Sequence, residues 1–296
     1  MSTAWIGLGR MGRPMVTNLI TKGFDVSVQN RGQGKVQELV GLGAQAGQSF
    51  AGMAAEATTI HTCLPDIQTV QEVMTGKDGI LAGSYPGLVI VDHSTIHPEV
   101  AQNLAELAQS VGASFLDAPV SGSGPLAEQG QLTIMVGGNP DAFEIARPAM
   151  EAMGSTVRLV GPSGSGSLTK IVNNVMMATN LAVAFEATLL GIKHGLDPDA
   201  MYEVVRTASG ASRTLDRNIP RALAGSFPRD GGIGLTYKDL ELASKLAIDA
   251  ELPMPVADAG RAFWLRAINE GIGDQDPAYG VTIVEKDAGI DSRSKR

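Results

Sequence analysis

GPSGSGSLTKIVNNVMMATNLAVAFEATLLGIKHG, residues 161–195, divides the chain: strand and helix patterns alternate before it, and helical patterns alone follow it. It opens on a Gly/Ser run without periodicity, residues 162–167, the expected hinge. Ala, Leu, Met and Lys then dominate, with no proline until Pro198, which predicts one long interdomain helix over about 167–194. Lys170, Asn173 and Asn174 stand at i, i+3 and i+4 and therefore share a face of that helix. A cation and two amides in the first turns of an Ala-rich helix are costly to bury without partners. A site facing a cleft is therefore expected there rather than a solvated patch.

The 296 residues suffice for two domains, and 44% hydrophobic residues with 36 glycines suit a globular α/β chain with many turns. A net charge of −8 argues against nucleic acid as a partner, and the basic tip at 293–296 reads as a solvated tail. The one cysteine, Cys63, excludes an internal disulfide and cannot build a zinc site. No metal is expected, and a reducing, cytoplasmic setting is. The start of the chain enters a strand pattern with no charged-then-apolar leader, and the most apolar segment, 171–192, is interrupted by Asn173, Asn174, Asn180 and Glu186. Neither a targeting signal nor a membrane span is expected.

Outward from the dividing stretch, TAWIGL at 3–8 reads as a buried strand, followed by Gly7-x-Gly9-x-x-Gly12, a helical pattern over 10–22 and a second strand over 25–29. Strand, glycine turn and helix in that order are the context a dinucleotide site requires. Gly7 allows the tight turn, Gly9 lets backbone approach a pyrophosphate, and Gly12 lets the helix pack on the strand. Leu8, Arg10 and Met11 complete the phosphate loop.

Strand patterns recur at 58–63, 88–92, 114–117, 131–136 and 156–160 with helical patterns between them, the signature of a doubly wound parallel sheet ending near 160. The carboxyl ends of the middle strands carry Leu64-Pro65-Asp66, Ser94-Thr95-Ile96 and the turn at 119–124. Leu64 and Pro65 would line a cofactor crevice, although Pro65 serves equally well as the start of the next helix. Helical patterns at 198–208, 212–224, 234–250 and 255–271 leave no room for a second sheet. The expected architecture is an α/β dinucleotide-binding domain over 1–162 and an all-α domain over 163–296.

GLGRMGRPMVTNL at 7–19, DAPVSGS at 117–123, GPSGSGSLTKIVNN at 161–174 and KDLELA at 238–243 occur in an order and spacing that resemble the β-hydroxyacid dehydrogenase family, which includes 3-hydroxyisobutyrate dehydrogenase and tartronate semialdehyde reductase. The resemblance spans nearly the whole chain. It implies a Rossmann domain and a helical domain, with Lys170 as the catalytic lysine, Asn174 as a substrate-holding amide, Ser121, Gly122 and Ser123 as the carboxylate site, Thr95 near the nicotinamide, and Lys238 facing cofactor or substrate. Ser123 stands where the family usually has a second glycine. Asn173 stands where relatives that decarboxylate phosphorylated sugar acids have His, which argues against that reaction here. Arg213 stands where many relatives have an aromatic residue; it could read a second anionic or polar group of the substrate or sit on the surface, and the surface is the favoured expectation.

Physical chemistry supports these roles beside the resemblance. Successive N–H groups and serine hydroxyls in a Ser-Gly-Ser turn suit an anion, although a plain turn needs the same residues. A lysine base at neutral pH needs its pKa pulled down from ~10.4, by desolvation or by a cation such as Lys238. The expected reaction is hydride transfer between a nicotinamide and a small 3-hydroxy acid, with a small carboxylate as substrate. The alternatives are a non-catalytic dinucleotide-binding scaffold or sensor, against which the retained lysine argues, and an imine reductase, a related group that usually has another residue at the lysine position. NADP is expected over NAD. VSVQNRG at 26–32 has no acid to accept from a ribose 2′-hydroxyl, Asp25 begins its strand on the far edge, and Asn30 and Arg31 offer donors to a 2′-phosphate. A homodimer or homotetramer is expected from apolar stripes at Phe263, Trp264 and Ile268 and at Tyr279 and Ile283, which a small helical domain would leave uncovered.

Overall fold

The computed structural model describes residues 2–228 and 232–293, so the basic tip lies outside the described residues from 294 on. Two compact units emerge, Met1–Lys170 and Ile171–Arg296. The division falls at 170/171, inside the long helix, rather than at 162/163.

Nine strands form the sheet of the first unit: β1 Ser2–Ile6, β2 Asp25–Gln29, β3 Gln45–Ala46, β4 Thr59–Thr62, β5 Val89–Asp92, β6 Ser114–Asp117, β7 Val120–Ser121, β8 Leu132–Gly137 and β9 Gly154–Gly161. Seven helices accompany them: α1 Gly12–Thr21, α2 Gln33–Val40, α3 Phe50–Glu56, α4 Ile67–Thr75, α5 Pro98–Ser110, α6 Gly124–Glu128 and α7 Pro140–Met153. The order is β3-β2-β1-β4-β5-β6-β8-β7, with β9 beside β8. From β3 to β6 all pairs are parallel, whereas β8 runs antiparallel to both β6 and β7. The sheet is therefore doubly wound and mixed, not parallel throughout. The antiparallel strand follows from the short path after β6, which turns back through β7 and α6 with no crossover helix long enough to return the chain in the same direction.

Alternation along the strands sends side chains to two cores. Trp5, Val26, Val28, Val91, Leu116 and Ile134 pack beneath α1 and α7. On the other face Ala4, Ile6, Ile60, Ile90 and Phe115 pack against α3, α4 and α5.

The second unit holds the length of α8, Ser165–Lys193, from Ile171 on, and then α9 Pro198–Val205, α10 Arg213–Leu223, α11 Ile233–Asp249, α12 Pro255–Asn269 and α13 Val281–Ala288. The all-α expectation holds. Its core joins Leu181, Phe185, Leu215, Leu240 and Trp264, whose Nε1 donates to the Ala178 carbonyl at 3.0 Å. The apolar stripes on the last helices are not left uncovered. Trp264 and Ile283 are buried within this unit's own core, Phe263 and Ile268 pack against it, and Tyr279 meets Phe227 edge to face. Other apolar side chains are exposed, Ile248 on α11 and Val256 on α12 among them, and on α8 Leu168, Val172, Met176, Val183 and Leu190 recur at intervals of four and seven residues as a single stripe. Among the described residues α8 alone has the length and apolarity of a membrane-crossing helix, a test that core helices of water-soluble proteins also pass.

Polar rings interrupt the first core. Trp5, His61 and His93 form one cluster across β1, β4 and the end of β5, every pair stacked with centroids 5.3 to 5.5 Å apart. His93 Nδ1 lies 2.8 Å from the Ala118 carbonyl and His61 Nδ1 lies 3.0 Å from His93 Nε2. Burial pushes the His93 imidazole down to about 4. Burial also lowers His61 well below the ordinary histidine value, and neighbouring His93 adds to this.

Such neutral rings make stability depend on pH in one direction. Between about 6.5 and 4 the unfolded chain binds a proton at residue 93 and the folded chain does not, so stability is complete above about 6.5 and falls as the pH falls through that window. Urea unfolding at pH 7.5 and pH 5 is expected to show a loss of about 2 kcal/mol from His93 alone, and His93→Gln is expected to flatten the slope. Equal slopes in the two proteins would show that His93 does not stay neutral on folding.

Candidate active site

Along the sheet the order reverses direction between β1 and β4, so the crevice outside their carboxyl ends is where such a sheet accepts ligand. The glycine loop stands there, and its three glycines answer to three constraints. Gly7 has φ +99°, and a Cβ on it would collide with the Cys63 carbonyl. On Gly12 a Cβ would collide with the carbonyl oxygen of Gly7, whereas on Gly9 it would meet nothing within 4 Å. Trp5 Nε1 donates to the Gly7 carbonyl at 2.9 Å, Gly7 N–H donates to the Gln29 carbonyl at 3.0 Å, and Leu8 N–H donates to Asn30 Oδ1 at 3.0 Å. No side chain caps the start of α1. Within that first turn Arg13 N–H donates to the Gly9 carbonyl at 3.1 Å, Pro14 has no N–H and Met15 N–H donates to the Met11 carbonyl at 3.3 Å, so an anion would meet the amides of the loop before the helix, where Arg10 is exposed and Met11 packs against the core. Beneath the loop, burial chiefly, with Asp92 adding, pushes the Cys63 thiol up to about 12, which leaves it unreactive.

Asn30 has a role that sequence reasoning missed. Its Oδ1 is occupied by Leu8 N–H and its Nδ2 donates to the Gly32 carbonyl at 3.1 Å, so it braces the glycine loop before it offers anything to a ligand. Arg31 is exposed, and Asp25 accepts from Gln45 Nε2 at 2.9 Å at the opposite end of β2.

After β4, Leu64 packs against Gly7 and donates its N–H to Ser94 Oγ at 2.9 Å. Ser94 Oγ in turn donates to Asp92 Oδ1 at 2.6 Å, and Thr62 Oγ1 donates to the same oxygen at 2.7 Å. Asp92 is fully buried and thereby ties the β4 loop to the β5 loop that carries Thr95. Burial raises its carboxyl pKa while the bonds from Ser94 and Thr62 oppose the rise. Pro65 does not start a helix: α4 is capped by Asp66, which accepts from Thr69 N–H at 2.7 Å, and exposed Pro65 precedes the cap.

Beyond β6 the chain reaches the Ser-Gly-Ser turn. Gly122 has φ +149°, with Leu132 Cδ2 only 2.5 Å from where a Cβ would be. Ser123 stands at the start of α6 without capping it. Asp117, fully buried at the end of β6, accepts from Gly164 N–H at 2.8 Å and from Ser167 N–H at 2.7 Å, at the start of α8. Half-buried Lys170 comes one turn later and closes the first unit. The glycine loop, Leu64, Pro65, Thr95, the Ser-Gly-Ser turn and Lys170 thus belong to one compact body.

Asn174 and Lys238 belong to the second unit. Asn174 is buried, its Oδ1 accepting from Asn173 Nδ2 at 2.9 Å and its Nδ2 donating to Asp239 Oδ2 at 2.6 Å. Both ends of the amide are thereby assigned. Asp239 was not singled out from sequence; its signal was the KDLELA block that drew attention to half-buried Lys238 beside it. Arg213 is exposed at the first residue of α10.

Residues 2–161 match the family described as the NAD binding domain of 6-phosphogluconate dehydrogenase, and residues 164–283 match that described as NAD-binding of NADP-dependent 3-hydroxyisobutyrate dehydrogenase. The chain is 34% identical to 2-(hydroxymethyl)glutarate dehydrogenase of Eubacterium barkeri, with 97% of this chain and 95% of that one covered. It is also 34% identical to the NAD-dependent L-serine dehydrogenase of Pseudomonas aeruginosa, covering 92% and 94%. Among solved structures, Psf3 in complex with NADP+ and 2-OPP superposes with a TM-score of 0.86 at 30% identity over 95% of this chain and 99% of that one.

Proposed function

The chain belongs to the β-hydroxyacid dehydrogenase family, and we infer from that membership that it moves hydride between a nicotinamide dinucleotide and a small 3-hydroxy acid or its semialdehyde or 3-oxo form. One observation carries the reading: an open glycine loop, an anion-ready turn and a lysine one turn into a long helix are parts of one compact unit. The loop fits a dinucleotide, because Gly9 leaves its backbone bare and α1 begins without a capping side chain. When bound, the nicotinamide supplies the hydride chemistry. In this reading Ser121, Gly122 and Ser123 hold the substrate carboxylate with N–H groups and hydroxyls, and Leu64, Pro65 and Thr95 border the cofactor. Lys170 Nζ takes the hydroxyl proton in oxidation and returns it in reduction. Asn174, oriented by Asp239, holds the reacting end of the substrate, and Lys238 faces cofactor or substrate. Lys170 also separates this reading from a scaffold or an imine reductase, neither of which needs a lysine there.

NADP is preferred over NAD in this reading. Beside β2 no acid stands where it would repel a 2′-phosphate, and Arg31 is an exposed planar cation at that edge. Asn30 contributes by bracing the loop. The protein works as a soluble cytoplasmic homo-oligomer without nucleic acid or membrane partners. The support is its net charge of −8 and the exposed stripe on α8, which a second copy would cover.

Lys170→Ala is expected to lower turnover by ~10²–10⁴ while leaving dinucleotide affinity nearly unchanged; near-normal turnover in steady-state assays would sink the lysine assignment. For the unmutated enzyme kcat/KM should favour NADP(H), and Asn30→Asp with Arg31→Leu should reverse the order, since Asp at 30 keeps an acceptor for Leu8 N–H. An NAD preference at the outset, or an unmoved ratio, would show that these two positions are not the selectors. Light scattering at micromolar concentration should give a dimer or tetramer that Met176→Glu with Val183→Glu weakens, and a monodisperse parent monomer would overturn the oligomer.

A further inference from the structure

We propose that Asp117 is the positioning residue of the catalytic lysine: its carboxylate clamps the first turn of α8 to the end of β6 and so fixes Lys170 relative to the Ser-Gly-Ser turn. The inference rests on the reading of Lys170 as the acid–base group.

The clamp has two points. Asp117 Oδ1 accepts from Gly164 N–H and Oδ2 from Ser167 N–H, at 2.8 and 2.7 Å, on either side of Ser165, the first residue of α8. A turn bonded at both places can neither slide along its axis nor rotate about it. Lys170 follows Ser167 by three residues, a rise of about 4.5 Å, so the fixed turn carries the lysine directly. In the other direction the backbone of Asp117 leads into Ala118, whose N–H donates to the Asp92 carbonyl at 2.7 Å. Two residues later it reaches β7, held in register by Val120 opposite Ile134 and Ser121 opposite Thr133. One residue therefore joins the helix that carries the lysine to the strand end that carries the carboxylate turn.

Glycines make this contact possible. A Cβ on Gly137 would lie 2.5 Å from Asp117 Oδ1, and one on Gly166 would collide with the carbonyl oxygens of Asp117 and Met135. No side chain stands between the helix start and the sheet, and no longer acid would fit. A carboxylate is needed rather than an amide, because both of its oxygens face donors and an amide nitrogen would oppose one of them. The positive end of α8 favours a negative charge at this place. Burial raises the Asp117 carboxyl pKa while the two backbone N–H groups act against the rise.

Kinetics of the full-length protein with its dinucleotide and its best hydroxy-acid substrate test the clamp, with Lys170→Ala run in parallel. In Asp117→Asn, kcat is expected to fall about 10²-fold, the loss that a displacement of about 1 Å brings. Dinucleotide affinity should stay within about threefold, and the Gly164 and Ser167 amides should exchange hydrogen faster. A kcat within about threefold of the parent, while Lys170→Ala is inactive, would overturn the clamp and leave the lysine in place. Unchanged protection of the two amides would overturn it as well. Turnover retained by Lys170→Ala would fell the underlying reading, and the clamp with it. Should Asp117→Asn not fold, Gly166→Ala displaces the same turn with the carboxylate intact: loss of kcat with dinucleotide binding preserved is expected, and an unaltered kcat would overturn the proposal.

Discussion

Backbone resting on backbone is the constraint from which the rest of the first unit follows. At Gly12 the start of α1 lies against the carbonyl of Gly7, and at Gly166 the start of α8 lies against the carbonyls of Asp117 and Met135, both closer than any Cβ allows. Glycine inside a helix costs about 1 kcal/mol relative to alanine. Two helix starts that bear this cost place their amides and side chains where a looser contact would not. In α1 the result is a helix start without a capping side chain beside open space at Gly9, and in α8 it is a lysine at a fixed height above the sheet.

Buried carboxylates supply what glycines cannot, which is direction. Asp92 and Asp117 end neighbouring strands in register with one another, and burial raises the pKa of both. Asp117 uses both oxygens on the entry to α8, whereas Asp92 uses Oδ1 alone, on Ser94 and Thr62 and through Ser94 on Leu64, its Oδ2 buried without a hydrogen-bond partner among the described residues. A buried acid is costly unless its hydrogen bonds are good. Here those bonds join segments far apart in sequence, so the carboxylates make a poor contribution to net stability and a large one to the geometry of the strand ends.

The glycine motif and the periods of strand and helix made the doubly wound half and the helical half legible in the sequence, because both are local patterns. Antiparallel β8 was not legible, since direction depends on the path of the short β7 and α6, which carry too few residues to show a period. The Gly/Ser run at 162–167 looked like a hinge because small residues mark both flexible and close-packed chain. Only the neighbours of Gly166 show that here it is close-packed. Asp117 and Asp239 lay inside recognised blocks, yet their contacts reach 47 to 65 residues away, beyond any local pattern. The apolar stripe at Trp264 was a correct reading of one helix face, and its coverage by Phe185 and Ala178 belonged to tertiary packing.

The cluster of rings in the sheet shows why these local bonds act together. Ala118 C=O can only accept, so His93 Nδ1 carries the proton and His93 Nε2 must accept from His61 Nδ1, an assignment fixed by the geometry. His61 Nε2 lies 3.3 Å from the Thr59 hydroxyl, which itself donates to Thr3 Oγ1 at 3.4 Å. A proton added at His93 Nε2 would set two donors face to face, and burial holds both rings neutral, with His93 adding to the effect at His61. In the same cluster Trp5 holds the Gly7 carbonyl of the dinucleotide loop, and His93 holds Ala118, next to Asp117. Trp5 and His93 stack directly on one another, so the protonation that weakens the fold would bear on the loop at Gly7 and on the strand end at Ala118 through adjacent contacts.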